Sequence, residues 1–355
     1  MKAWPLIYSE SLLAYSFPPP HPFTSGRLKD AMRVLRDWGF EWEVPEPGDE
    51  RLLEMVHAPE YLAHYKSTSL GKTPAFEDAF KYGIGTGDTP AIPGFYEAGL
   101  AIVGASVTAA KRLNNGNQLA ICLAGGLHHA QRDNASGFCT LNDIAVAIKL
   151  LMQTFGRVVY IDIDLHHGDG VEAIFRDEPR VLTASIHEFE PGFYPGTGDE
   201  ISDHIVNAPL ARGTSGPLWL KVFMEGVLPR VQAFRPEVVV LQMGVDPHTY
   251  DPLGHLNVSG RCWLEAVEAV RSLGLPTVAL GGGGYDRRNP PRLWPAAVCV
   301  LTERNVPPTM PEWFVEQYGL SQTVDEEGDD FVIPESALNR AKLVLEQLSI
   351  SPPEQ

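Results

Sequence analysis

Residues 160–170 read YIDIDLHHGDG, an apolar run that delivers two aspartates and two histidines just before a glycine turn. Alternate residues of a strand share a face, so Asp162, Asp164 and His166 project together and Asp164 and His166 can grip one ion. Such a cluster is costly to bury unless a metal or paired charges compensate it. The flanking run is too apolar for the plain alternative, a solvated acidic turn. Asp246, in the GVD that ends another apolar run, completes a set of two carboxylates and one imidazole. Taken alone, a carboxylate at a strand end is as often a cap as a ligand, and only a shared rim promotes it. This set leaves coordination open to water and substrate, the pattern of a catalytic rather than a structural metal site. Zinc and ferrous iron both suit it. A divalent ion there would lower its water's pKa toward about 7 and polarise a carbonyl.

Two further groups supply chemistry around that set. His128 and His129 stand together in AGGLHHA. A buried histidine pair is often a core feature, but opposite an activated water it offers a general base and a general acid. Each needs a carboxylate on its other nitrogen to hold tautomer and orientation, and Asp162 and Asp169 are left unclaimed by the metal. Gly281–Gly284 lack the spacing and lysine of a phosphate loop, so they read as close backbone approach to the site, with Tyr285 at their end. A lone tyrosine usually packs; here its hydroxyl could donate to an oxyanion.

The elements that must position these residues follow from periodicity. Five short apolar runs read as buried parallel strands: 119–123, 158–163, 181–186, 238–243 and 277–280. Helical patterns at 95–113, 143–154, 218–234 and 259–273 separate them, the last with Ser259 as N-cap. The alternation predicts an α/β fold with a central, mostly parallel sheet covered by helices on both faces. Ligands bind outside the carboxyl ends of such strands, so all five exits face one site. The proline-rich first third is expected around the sheet edge. From Asp325 an acidic DEEGDD loop, a helix over 335–348 and a frayed PPEQ tail are expected.

With 355 residues, 44% hydrophobic and 21% charged, the chain reads as one soluble globular domain, residues 1–355, with a core of about 5–305 and a C-terminal loop and helix over 306–355. The net charge of −17, with no basic stripe, argues against direct nucleic-acid binding. Four cysteines without CxxC spacing exclude a zinc knuckle and suit a reducing compartment. Neither a signal peptide nor a spanning segment is read, so a cytoplasmic protein is expected.

At this point the sequence resembles the zinc-dependent histone deacetylase family, most of all its bacterial acetoin-utilisation-type members. The resemblance runs through His21-Pro22 with Arg27, GDTP (87–90), GGLHHA, ASGFCTLND (135–143), DIDLHHGDG, PGFYPGTGD (191–199), GVD and GGGGYD, to about Trp294. It implies an arginase-like α/β domain and a Zn²⁺ held by Asp164, His166 and Asp246. His128 and His129 would be the tandem acid/base pair, backed by Asp162 and Asp169, and Tyr285 the carbonyl-polarising residue. Phe138 and Tyr194 would wall a narrow acyl-lysine tunnel helped by Gly137 and Leu253, Asp88 would sit at the rim, and Arg27 in the inner cavity. A structural K⁺ is implied at Asp162, Asp164, His166, Ser185 and Ile186. Two departures stand out: Pro247-His248-Thr249-Tyr250 after GVD is bulky and should alter the rim, and Tyr194 replaces a phenylalanine common in the tunnel. No catalytic role is read for His167.

The expected activity is hydrolysis of acetyl-lysine side chains in proteins. Deacetylation of a small acetylated amine such as an acetylpolyamine is the alternative enzyme. A two-metal ureohydrolase fits less well, because Asp162 and Asp169 are engaged as histidine partners. A silent acyl-ligand binding module conflicts with the presence of Tyr285 and both histidines. Composition says nothing about oligomeric state.

Overall fold

Every residue of the strands is buried. Since successive side chains point to opposite faces, both faces of the sheet must be covered. The computed structural model, which describes residues 6–326 and 332–349, shows how. Strands β1 (Leu119–Cys122), β2 (Val158–Asp162), β3 (Val181–Glu188), β4 (Ile205–Leu210), β5 (Val238–Gln242) and β6 (Thr277–Leu280) form one sheet in the order β1-β6-β5-β2-β3-β4, every pair parallel. Register places Cys122, Leu280, Gln242, Asp162 and Ser185 side by side. Four strands therefore end at one level, beside Ser185 of the longer β3, and the loops that follow those four open onto one rim.

Strand β4 escapes the sequence pattern. Its six residues IVNAPL carry Asn207 and Pro209, and proline is tolerated because β4 is an edge strand. At the other edge, Leu6 and Ile7 lie beside β1, with the Ile7 N–H donating to the Ile121 carbonyl at 2.8 Å. The first third thus wraps the sheet edge, as expected, and contains helices Gly26–Asp37 and Pro59–Ser69 that its prolines concealed.

The long helix expected over 218–234 is three pieces: Gly216–Val222, a wide π-turn at Phe223–Val227, and Leu228–Phe234. Pro229 has no N–H to donate and crowds the preceding turn, so the helix opens just before it. Ser259 caps Gly260–Arg271 as predicted, its hydroxyl accepting from the Cys262 N–H at 3.2 Å. The helix Pro290–Leu301 was not anticipated, since Pro290, Pro291 and Pro295 read as breakers. The C-terminal helix Glu335–Ser349 packs on β4 and on the interrupted helix. Residues 1–5, 327–331 and the PPEQ tail lie outside the described residues.

Asp325 is half-buried and held by several partners rather than free in a solvated acidic loop. It accepts from the Gly260 N–H at 3.1 Å, and its carboxylate lies 3.0 Å from His248 Nε2 and 2.9 Å from the buried Arg292. Burial opposes its charge, but His248 and Arg292 prevail and hold it well below the usual carboxylate range. A depressed carboxylate stabilises the fold at pH values above its unfolded pKa of about 4 and loses that contribution as pH falls toward the folded value. Asp325→Asn should therefore cost about 2–3 kcal/mol in denaturant melts at pH 7. The gap to the parent protein should narrow at pH 3; an equal gap at both pH values would contradict this.

Among the described residues no helix is long and apolar enough to cross a membrane, and all four cysteines are buried.

Candidate active site

The loop after β2 sets the site. Asp164 and His166 meet Asp246 from the loop after β5, and one ligand atom from each lies within 4.8 Å of the others. All three are buried. Asp164 is fixed by the Gln242 amide at 2.7 Å and by the Gly283 N–H at 2.8 Å, each bonded to Oδ2, while the His166 N–H donates to Oδ1 at 3.0 Å. Asp246 Oδ1 accepts from the Leu165 N–H at 2.9 Å. The glycine run is close backbone approach, as expected: a Cβ on Gly283 would lie 2.0 Å from Asp246 Oδ2.

The electrostatics of this trio are those of a cation site. His166 Nδ1 lies 3.3 Å from Asp164 and 3.2 Å from Asp246. Burial opposes its charge, yet the two carboxylates raise it to about 10. Asp246 is pushed up to about 7 by burial and by the charge of Asp164. Two buried carboxylates and an imidazole sharing one point satisfy each other only by holding a proton, and a divalent ion fits that donor set in the proton's place.

Next to the trio stand two histidine–carboxylate dyads. His128 Nδ1 is 2.9 Å from Asp162 Oδ2, which also accepts from the Tyr160 hydroxyl at 2.6 Å. His129 Nδ1 is 2.6 Å from Asp169 Oδ1. The two rings are 4.0 Å apart but differ in charge preference. For His128, burial is outweighed by Asp162 and Asp164, and its pKa rises to about 9. His129 is lowered to about 4 by burial and by the charge on His128. One ring therefore favours the protonated form and its neighbour the neutral form.

Tyr285 arrives from the loop after β6. Burial and the Asp246 charge hold its hydroxyl well above the usual tyrosine range, so it remains a donor. No described residue bonds that hydroxyl, although the ring meets Phe138 edge-on at 5.7 Å. Arg27 donates to the carbonyls of Gly282 at 2.8 Å and Gly284 at 3.2 Å, and its guanidinium lies 5.6 Å from the Tyr285 ring. A small cavity is lined by Arg27, His128, His129, Gly137 and Tyr285. Tyr194 meets His129 edge-on at 4.9 Å. Asp88 is exposed; its carbonyl lies 3.1 Å from His21 Nε2 and its carboxylate accepts from Thr89. Leu253 is half-buried in the loop that carries Asp251. Asp162 and Ser185 are register partners, with Ile186 next along β3. Both ring nitrogens of His167 are taken, by Thr197 and Glu172, each at 2.9 Å.

The family model of the histone deacetylase domain matches residues 21–301. The chain belongs to the histone deacetylase family. Its sequence is 38% identical to the acetoin utilization protein AcuC of Bacillus subtilis over 87% of this chain and 85% of that protein. It is 37% identical to histone deacetylase B of Dictyostelium discoideum, over 84% of this chain and 74% of that one. Identity to histone deacetylase 8 of Xenopus tropicalis is 39%, covering 79% and 78% of the two chains. The arginase-like α/β architecture expected from the motifs is consistent with the six-stranded parallel sheet.

Several supports of this deacetylase-family site carry no signal in one sequence. Asp143, fully buried at a helix N-terminus, accepts from the N–H groups of Gly126 at 3.0 Å and Leu127 at 2.8 Å and from the Ser106 hydroxyl at 2.5 Å. Asn142 binds the Ala130 carbonyl at 2.9 Å. Together they hold the His128-His129 loop at both ends. Gln131 donates to Asp169 at 2.8 Å, and Asp251 accepts from the Tyr285 N–H at 2.6 Å. Phe193 stacks on His166 at 5.5 Å. After GVD, His248 is buried against Asp325 and Tyr250 is 65% exposed.

Proposed function

We propose that the chain is a metal-dependent amidohydrolase that removes acetyl groups from lysine side chains of proteins. One observation carries the reading: Asp164, His166 and Asp246 share one buried point, beside two His–Asp dyads of opposite charge preference and an unengaged tyrosine hydroxyl.

In this reading Asp164, His166 and Asp246 hold Zn²⁺, with Fe²⁺ fitting the same ligands, and the ion when bound activates water and polarises the amide carbonyl. His129, neutral and oriented by Asp169, takes the proton from the attacking water. His128, kept protonated by Asp162, stabilises developing negative charge and supplies a proton to the departing amine. Tyr285 donates to the carbonyl oxygen as it becomes an oxyanion. Phe138, Tyr194, Gly137 and Leu253 line the path of the lysine chain, and Asp88 accepts from the substrate backbone at the mouth. Arg27 lies on the acetate's way inward. A K⁺ at Asp162, Asp164, His166, Ser185 and Ile186 would be structural, supported by the pairing of Asp162 with Ser185.

Substrate class is decided by comparing kcat/KM on an acetyl-lysine peptide and on N-acetylputrescine. The peptide should be preferred by at least about tenfold, since one or two extra backbone hydrogen bonds are worth roughly 1–2 kcal/mol. A large preference for the small amine would replace the protein substrate with an acetylated polyamine at the same site.

A further inference from the structure

The hydroxyl of Tyr194 is the one polar group on the two aromatic walls of the tunnel proposed above, and it is not idle. It lies 2.5 Å from the Ser136 hydroxyl, within hydrogen-bonding reach. Ser136 and Cys139 exchange backbone hydrogen bonds of 3.1 and 2.9 Å, closing a two-residue hairpin with Gly137 and Phe138 at its tip. Both tip residues have positive φ, 53° and 67°, as a type I′ turn requires. For phenylalanine this is an uncommon and strained backbone. The Phe138 carbonyl is tied down by the Tyr15 hydroxyl at 2.7 Å. The opposite wall, Tyr194, comes from the loop after β3, so the Ser136–Tyr194 bond joins the two walls at the base of the strained tip.

The walls meet closely here: a Cβ on Gly137 would lie 2.8 Å from the Tyr194 oxygen and 2.2 Å from the His129 ring, so only glycine fits at that position. The Ser136 bond opposes movement of the Tyr194 ring away from the hairpin. A phenylalanine in the same place could pivot.

We infer that Tyr194 and Ser136 form a clasp that fixes the width of the tunnel and makes this enzyme selective for slender, unbranched acyl-amine chains over chains carrying a ring. The inference rests on the proposed deacetylase reading for the identity of the tunnel. Neither residue touches the reacting atoms, so they are positioning residues. Because the clasp is the same in ground state and transition state, losing it should appear in KM rather than kcat.

The test compares acetyl-lysine peptide with the same peptide carrying acetylated 4-aminomethylphenylalanine, for the metal-loaded parent protein, Tyr194→Phe, Ser136→Ala and the double variant. Each single variant should lower the selectivity for the lysine chain by roughly three- to tenfold, the worth of one neutral hydrogen bond, and Ser136→Ala, whose side chain is outside the path of the lysine chain, should do so with kcat on the lysine peptide unchanged. The double variant should lower it no further, because both changes remove one bond. Additive effects, or unchanged selectivity in two well-folded single variants, would overturn the clasp. If the parent protein releases acetate from neither peptide, the deacetylase reading fails. The clasp is then read from the dissociation constants of the two peptides, by fluorescence anisotropy, in the same four proteins: a non-additive loss of selectivity supports it, and unaltered selectivity refutes it.

Discussion

Asp246→Ala should leave a folded protein that neither retains a divalent ion through dialysis nor releases acetate. Asp246 joins Asp164 and His166 around one buried point, and its removal leaves one carboxylate and one imidazole. Lewis-acid assistance is worth several kcal/mol, so the loss should be about three powers of ten or more at about 1.4 kcal/mol each. Metal content and acetate release must fall together. The same trio fixes the pH dependence of uptake. In the metal-free protein His166 holds its proton up to about pH 10 and Asp246 holds one up to about pH 7. An entering ion must displace the His166 proton throughout the neutral range, and below pH 7 the Asp246 proton as well. Affinity should therefore fall as pH drops, by at least about tenfold per unit. Metal binding that is stronger at pH 6 than at pH 8 would contradict this assignment.

Tyr285→Phe should lower kcat by about 10²–10³-fold, the usual effect of removing one oxyanion donor. Stability and metal content should stay as in the parent protein. The reasons are geometric: the ring packs against Phe138, the backbone N–H is held by Asp251, and no described residue depends on the hydroxyl. An interaction made only in the transition state reduces kcat and kcat/KM equally. Full activity of Tyr285→Phe would remove the hydroxyl from the mechanism. A comparable loss accompanied by a lower melting temperature would mark it as structural.

Strand period made part of the site legible, since it puts Asp162, Asp164 and His166 on one face. The pairing of His128 with Asp162 and of His129 with Asp169 was implied by the family resemblance, and these pairs lie at 2.9 and 2.6 Å. What could not be read depends on distant chain. Gln242 looks like the end of a buried strand until parallel pairing sets it beside Asp162, from where its amide reaches Asp164. Asp143 looks like an ordinary acidic residue in the first turn of a helix, and only the fold brings Gly126 and Leu127 to it. Asp251 precedes Pro252 and Gly254 and so reads as a turn residue, although it holds Tyr285. Strand β4 and the helix 290–301 were hidden by prolines: Pro209 lies on an edge strand and Pro290 and Pro291 at a helix start, positions that accept proline, while Pro295 stands inside the helix. In each case a tertiary partner decided what local preference left open.

The most direct test of the account is a zinc titration of metal-stripped protein, following acetate release from an acetyl-lysine peptide and bound metal in the same samples. Acetate release should rise in proportion to bound zinc and level off at about one ion per chain, the capacity of a single three-ligand site, and chelation should return it to the baseline. Acetate release by the stripped protein equal to that of the loaded one, or one tightly bound zinc per chain with no turnover of any acetylated amine, would contradict it.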